Sequence, residues 1–144
     1  MSVHFSRPYT IRFSDCDPAG IVFFPQYFVM FNGTVEDWIT DGLGIGYRTL
    51  VIERRTGMPT VHLDVDFTAI SLMGDEVVLE LEVIRLGSKS LKLEHRCVGL
   101  DGTVRARVEQ VIVTTSLDTH DSIEIPADLR AAIEGNVAAA SAGS

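Results

Sequence analysis

From Val61 onward the chain repeats with a period of two. Val61, Leu63, Val65 and Phe67 face one way; His62, Asp64, Asp66 and Thr68 face the other. Val77, Leu79, Leu81 and Val83 alternate with Val78, Glu80, Glu82 and Ile84. Leu91, Leu93, His95 and Cys97 alternate with Lys92, Glu94 and Arg96. Val104, Ala106 and Val108 lead into a last stretch through Val111 and Val113 to about Ser116. Its face changes near Glu109, which reads as a bulge. Such alternation marks half-buried strands. Gly87-Ser88 and Asp101-Gly102 supply turns between them. Four consecutive strands with short turns predict an antiparallel meander, one face of which needs a cover.

The cover lies upstream. Phe28, Phe31, Val35, Trp38 and Ile39 recur at helical spacing over about four turns, a wide apolar face. Pro25 suits the first helical position, where its missing N–H costs nothing. Asp41-Gly42 and Gly44 end the helix. Asn32 and Glu36 share a more polar stripe beside the core face. This is the one long helix the pattern predicts. A sheet wrapped around it gives an α+β fold. Tyr9, Ile11 and Phe13 alternate with Thr10, Arg12 and Ser14, which predicts a first strand over 7–14. Residues 45–57 fit either a short second helix or an irregular connection. Pro126 opens a short C-terminal helix to about Glu134. One domain is expected over 1–134 and an unstructured tail over 135–144.

Composition narrows the function. The 144 residues carry 12 basic and 20 acidic side chains, a formal charge of −8. Nucleic-acid binding needs a Lys/Arg excess on one face, and anionic membrane surfaces repel such a chain. Cys16 and Cys97 make no disulfide framework. The N-terminal stretch lacks the unbroken apolar run of a signal peptide, and no run approaches the roughly 20 residues of a bilayer span. A cytoplasmic protein is expected. No Gly-rich phosphate loop, His-Glu-x-x-His, Cys-x-x-Cys or Gly-x-Ser-x-Gly occurs, and the four histidines lack metal spacing. No metal or cofactor is expected.

What remains is Asp15-Cys16-Asp17-Pro18-Ala19-Gly20 ahead of Pro25. Two carboxylates sit in a tight loop before a helix N-terminus, whose free N–H groups and dipole favour negative charge. Phe24, Gln26 and Tyr27 are the candidate donors, since Pro25 has none. Spacing alone leaves two readings. The carboxylates form Asx turns, as Asp-rich loops commonly do. Alternatively, one of them and the amides make half of an acyl-transfer site.

The run Phe13-Ser14-Asp15-Cys16-Asp17-Pro18-Ala19-Gly20-Ile21-Val22, then aromatics, Pro25 and Tyr27, resembles the signature of the 4-hydroxybenzoyl-CoA thioesterase family. These are acyl-CoA thioesterases of the hot-dog fold, an antiparallel five-stranded sheet around a central helix. The resemblance runs from about residue 8 to 128. It includes Gly57-Met58-Pro59-Thr60-Val61, Lys89-Ser90 and Ile125-Pro126-Ala127-Asp128. It implies that Asp17 is the catalytic carboxylate, as nucleophile or general base, and that the Phe24 N–H polarises the thioester oxygen. Family members acting on 4-hydroxybenzoyl groups place an acid where this chain has Asn32, whose amide would meet a hydroxyl; the substrate implied is an aromatic, 4-hydroxybenzoyl-like or a short acyl-CoA thioester. Tyr27, and Pro59, Thr60 and Val61 of a second subunit, would line the site. Lys89, Ser90 and Arg85, with Lys92 nearby, would face coenzyme A, which is part of the substrate. The resemblance also implies a homodimer or homotetramer. An idle module that binds acyl-CoA without turnover is the alternative. Glu36 is a weaker candidate base. Asp15 shapes the turn, Cys16 packs, and His62 and His95 are expected at the surface or an interface.

Overall fold

A computed structural model describes residues 2–142. Seven strands and two α-helices occur in the order β1 (Phe5–Thr10), α1 (Pro25–Asp37), β2 (Thr56–Gly57), β3 (Thr60–Phe67), β4 (Glu76–Leu86), β5 (Ser90–Gly99), β6 (Val104–Val113), β7 (Thr115–Ser116) and α2 (Ala127–Ala142). Five strands form an antiparallel sheet in the order β1-β4-β5-β6-β3, and β2 pairs with β7 separately. The expected α+β arrangement is the observed one.

The meander is shorter than the pattern predicts. It comprises β4, β5 and β6, while β3 pairs with β6 at the far edge. Residues 68–75 therefore cross the sheet instead of making a tight turn. The bulge expected near Glu109 does not exist, since β6 keeps unbroken register with β5 from Val113 to Ala106. The apparent change of face comes from Gln110, a polar residue turned inward and 8% exposed. The register shift lies on the neighbouring strand, between Thr60 and His62.

The first strand also moves. It ends at Thr10, and Phe13–Asp15 forms a 3₁₀ turn that closes with the Asp15 N–H donating to the Arg12 carbonyl. Phe13, placed inward by the alternation, is 78% exposed. Tyr9 and Ile11 do point to the core.

α1 begins at Pro25 and passes into a wider π turn, Trp38–Gly42. Its apolar face divides the core. Tyr27, Met30 and Phe31 pack on Val77, Leu79, Cys97 and Val108. Val35, Trp38 and Ile39 pack on Leu81, Leu93, Ile112 and Leu129. The open stretch after α1 contains a short helical turn, Thr49–Glu53, that buries Leu50.

α2 corrects two expectations. It runs to Ala142, past the expected stop at Glu134, and it is longer than α1. Its second half is tied down because Asn136 accepts the Trp38 indole N–H at 3.0 Å and donates to the His4 carbonyl at 3.0 Å. Val137 adds apolar contact. Gly143 and Ser144, the end of the expected tail, lie outside the described residues. No helix among the described residues is long and apolar enough to cross a membrane.

Candidate active site

The Asp17 loop is a miniature hairpin. Cys16 bridges Val22, the Asp17 N–H donates to the Ile21 carbonyl at 2.9 Å, and the Gly20 N–H donates to the Asp17 carbonyl at 2.9 Å. The sequence dictates this turn. Asp at the first position, Pro at the second and Gly at the fourth are type I preferences. Gly20 takes φ +77°, a left-handed conformation that favours glycine and closes the hairpin.

The two carboxylates diverge in role. Asp15 is buried, and its Oδ2 accepts the Tyr9 hydroxyl and the Arg12 N–H, each at 2.8 Å. Burial first, then that bond to Asp15, pushes the Tyr9 phenol up to about 12, so it stays a donor. Asp15 thus shapes the loop, as expected. Asp17 is half-buried, and its Oδ1 accepts only the Ala19 N–H, at 2.9 Å. Among the described residues nothing donates to Oδ2 of Asp17. Between them, desolvation and then both carboxylates raise the Cys16 thiol pKa, which leaves it un-ionised and a poor nucleophile.

The candidate donors reduce to one. The Gln26 N–H donates to the Phe23 carbonyl at 2.8 Å and the Tyr27 N–H to the Phe24 carbonyl at 3.2 Å. The Phe23 N–H goes to the Asp15 carbonyl at 2.9 Å. Among the described residues only the Phe24 N–H at this helix start meets no acceptor. It stands at the positive end of the α1 dipole. A carboxylate with an open oxygen and a free amide at a helix start are the elements a thioester carbonyl needs: a nucleophile or base, and an oxyanion donor.

Two of the cavities that flank α1 hold candidate site residues. Ile21, Phe24, Tyr27, Phe67 and Ile70 line one. Tyr27 lies beneath it, 4% exposed, and donates to Ser71 Oγ at 3.0 Å. The other, of about 220 Å³, lies between α1 and the β3–β6 side of the sheet. Phe28, Phe31, Asn32, Thr60, His95 and Gln110 line it. Phe24 and Asn32 are eight residues apart on one helix, roughly 12 Å along its axis. Thr60 is thus brought to Asn32 within one chain. Pro59 is not; it lines a separate cavity with Met58 and Leu117. Val61, at the register shift, is 59% exposed and lines neither.

The candidate coenzyme residues sit elsewhere. Arg85 and Lys89 are exposed at the β4–β5 turn, and Ser90 opens β5. β4 starts beside the Asp17 loop, where the Ile11 N–H meets the Asp75 carbonyl. Its eleven residues span about 35 Å to the far turn. Within one chain these cations are therefore remote from Asp17. Lys92 is not free: its Nζ pairs with Glu109 at 2.5 Å. Arg54 and Arg55 pair with Asp128 and Asp118. Glu36 is exposed on α1.

Residues 11–133 match the model of the thioesterase-like superfamily. The chain belongs to that superfamily. It is 30% identical over 125 residues to a 4-hydroxybenzoyl-CoA thioesterase of Pseudomonas sp. (strain CBS-3), covering 82% of this chain and 89% of that protein. A 1,4-dihydroxy-2-naphthoyl-CoA hydrolase of Acaryochloris marina (strain MBIC 11017) is 29% identical over 92 residues. There the match covers 64% of this chain and 66% of the relative, a little under two thirds. Among solved structures, a gentisyl-coenzyme A thioesterase superposes with a TM-score of 0.78 at 28% identity, covering 88% of this chain and 99% of the other. A 1,4-dihydroxy-2-naphthoyl-CoA thioesterase from Synechocystis superposes with a TM-score of 0.81 over 90% and 94% of the two chains. At 21% identity it speaks for the hot-dog fold alone.

In this thioesterase-like chain two buried polar residues that the sequence pattern does not single out line the cavity beside Asn32. His95, expected at a surface or interface, is fully buried on β5 and lines the cavity that Asn32 and Thr60 share. Gln110 faces it from β6, with His95 Nε2 2.8 Å from Gln110 Oε1. The signal was a His and a Gln at inward positions of otherwise apolar strands. His62 does lie at the surface, on the edge strand β3.

Proposed function

We propose that this protein hydrolyses aromatic acyl-CoA thioesters to the free acid and coenzyme A. The reading rests on one observation, the unpaired Phe24 N–H at the start of α1 beside the Asp17 loop. The thioester oxygen would accept this N–H, and the helix dipole would stabilise the negative charge as the carbonyl becomes tetrahedral. Asp17 would act in one of two ways. Its open oxygen attacks the carbonyl carbon, the coenzyme leaves as thiolate, and water cleaves the resulting anhydride. Alternatively, it takes a proton from water, which attacks directly. Either route needs only water besides the substrate, so no cofactor is called for.

The acyl class follows from the cavity and from the relatives. Its walls include Phe28 and Phe31. A cavity of about 150 Å³ already holds benzene. The relatives are named for hydroxybenzoyl and dihydroxynaphthoyl thioesters. The coenzyme would meet Lys89, Arg85 and Ser90 of a second subunit, because β4 separates those residues from Asp17 of their own chain. Val61, Leu63 and Phe67, exposed along the edge strand β3, support a homo-oligomer.

The test is thiol release from 4-hydroxybenzoyl-CoA, benzoyl-CoA and aliphatic thioesters by the wild type and Asp17→Asn. Loss of hundred-fold or more in the variant, with unchanged thermal unfolding, is expected. Wild-type rates in Asp17→Asn across the panel would refute it.

A further inference from the structure

Away from the edge strand β1, where Arg7 faces the end of α1, the inner face of the sheet is apolar except at one diagonal. His95 and Gln110 occupy inward positions among Leu93, Cys97, Val108 and Ile112. His95 is 0% exposed and stacks on Phe31 with ring centroids 5.0 Å apart. Leucine at either position would bury as well without polar atoms to satisfy. The pair caps no helix end and joins no ion pair. What it does is end on the cavity. Gln110 Nε2 donates to Thr60 Oγ1 at 2.7 Å, and His95, Gln110 and Thr60 all line the same space as Asn32.

The direction of these bonds sets the chemistry. The Gln110 amide nitrogen can only donate, so its oxygen faces His95 and must receive the Nε2 proton. His95 is then the neutral Nε2–H tautomer, and its Nδ1 is left as a lone pair without a partner among the described residues. The reverse arrangement would strand a buried N–H at Nδ1, a costlier omission. At the other end, Thr60 Oγ1 already accepts from Gln110. Its own proton has no acceptor among the described residues. Burial holds the His95 imidazole neutral, its pKa lowered to about 4, so the relay keeps this direction throughout the neutral range.

We infer that His95, acting through Gln110, sets Thr60 as a hydrogen-bond donor in the acyl cavity and so selects acyl groups that carry a ring hydroxyl. The substrate hydroxyl accepts from Thr60 and donates to the Asn32 carbonyl oxygen. Both partners are uncharged, so the cavity takes a neutral phenol in preference to a phenolate or carboxylate. Thr60 touches the ligand; His95 and Gln110 are positioning residues. The inference rests on the hydrolase reading only for its kinetic readout.

The test compares kcat/KM for 4-hydroxybenzoyl-CoA with that for benzoyl-CoA, and the binding of 4-hydroxybenzoate with that of benzoate, which needs no turnover. Both ratios are expected to fall about tenfold in Thr60→Val and Gln110→Leu, the worth of one hydrogen bond. Thr60→Ser, which restores the hydroxyl, is expected to keep them. Thr60 is exposed, so its variants do not threaten the fold. A purely structural role would slow both thioesters alike and leave the ratios unmoved, and that outcome overturns the inference. Equal losses in Thr60→Ser and Thr60→Val would overturn it too. If the wild type hydrolyses neither thioester, the hydrolase reading falls, and the two free acids still decide the relay.

Discussion

The Tyr9 hydroxyl lies 2.8 Å from Asp15 Oδ2 and fixes the base of the loop that carries Asp17 two residues later. Asp15 keeps the Arg12 N–H as a second donor. Tyr9→Phe removes one donor from a buried carboxylate and is expected to cost about 1–3 kcal/mol. Urea unfolding measures that loss. Hydrolysis should fall as well, because the loop that aims Asp17 loosens. In the wild type, ultraviolet titration should show Tyr9 ionising near pH 12. That transition should vanish in the variant.

The oxyanion role of Phe24 resides in its backbone, so side-chain truncation and amide deletion should separate. Phe24 has φ −51°, which proline accepts. Phe24→Pro removes the N–H, and kcat should drop about 10²- to 10³-fold, the usual cost of a lost oxyanion donor. Phe24→Ala keeps the N–H and gives up a half-exposed ring that packs edge-on against Phe23 and Phe67. A much smaller loss of kcat is expected there. Equal losses in the two variants would assign the effect to the ring.

Much of this architecture is legible in the residues themselves. The Asp17-Pro18-Ala19-Gly20 turn follows from the conformational demands of each position. α1 follows from Pro25 and the spacing of Phe31, Val35 and Trp38. Lys89 is readable as a turn cation. Other elements depend on contacts that no local pattern contains. Phe13 continues the alternation of Tyr9 and Ile11, yet the 3₁₀ turn takes the backbone out of the strand. The tail after Glu134 lacks a strong apolar stripe, and its helix is held by Asn136 reaching Trp38. Gln110 breaks the alternation of β6 in sequence, and only its bonds to His95 and Thr60 explain why it still points inward.

His95 ties stability to pH. In the folded chain the imidazole stays neutral down to about pH 4, chiefly because burial penalises the charged form. In the unfolded chain it protonates near 6.5. Unfolding therefore takes up a proton between those values, and stability falls as pH drops through that window. The full loss is on the order of 3 kcal/mol. His95→Leu should flatten this part of a plot of urea midpoint against pH, whatever its effect at neutral pH. A wild-type slope retained by the variant would place the proton uptake elsewhere.

Arg96 anchors the outer face of the sheet. It is 1% exposed and meets Glu80 at 3.2 Å, Glu82 at 3.1 Å and Glu94. Arg96→Met leaves the partly buried Glu80 and Glu82 without their cation and Glu94 with Arg107 alone, and a loss of about 3–5 kcal/mol is expected. Arg107 also bridges Glu94, along with Asp66 and Glu109, but its side chain is 27% exposed. Water can replace it there, and Arg107→Met should cost about 1 kcal/mol or less. Chemical unfolding of the two variants orders the pair.

The net charge of −8 makes coenzyme binding depend on which cations are free. Lys92 is held by Glu109, and Arg54 by Asp128 through two bonds of 2.7 and 2.9 Å. Arg130 Nη2 donates to the Gly87 carbonyl at 2.6 Å, which adds positive charge to the turn where Lys89 and Arg85 are exposed. Among the described residues neither Lys89 nor Arg85 meets a carboxylate. Lys89→Ala should raise KM for coenzyme A thioesters several-fold and weaken its dependence on salt, since exposed charges act through a screened field. Its kcat should hardly move, because β4 separates the turn from Asp17 of the same chain. Lys92→Ala leaves Glu109 to Arg107 at no gain to the coenzyme and should change KM far less. Steady-state kinetics at low and high salt compares the two. Equal effects from both lysines would show that the pairing with Glu109 does not decide which cation the coenzyme meets.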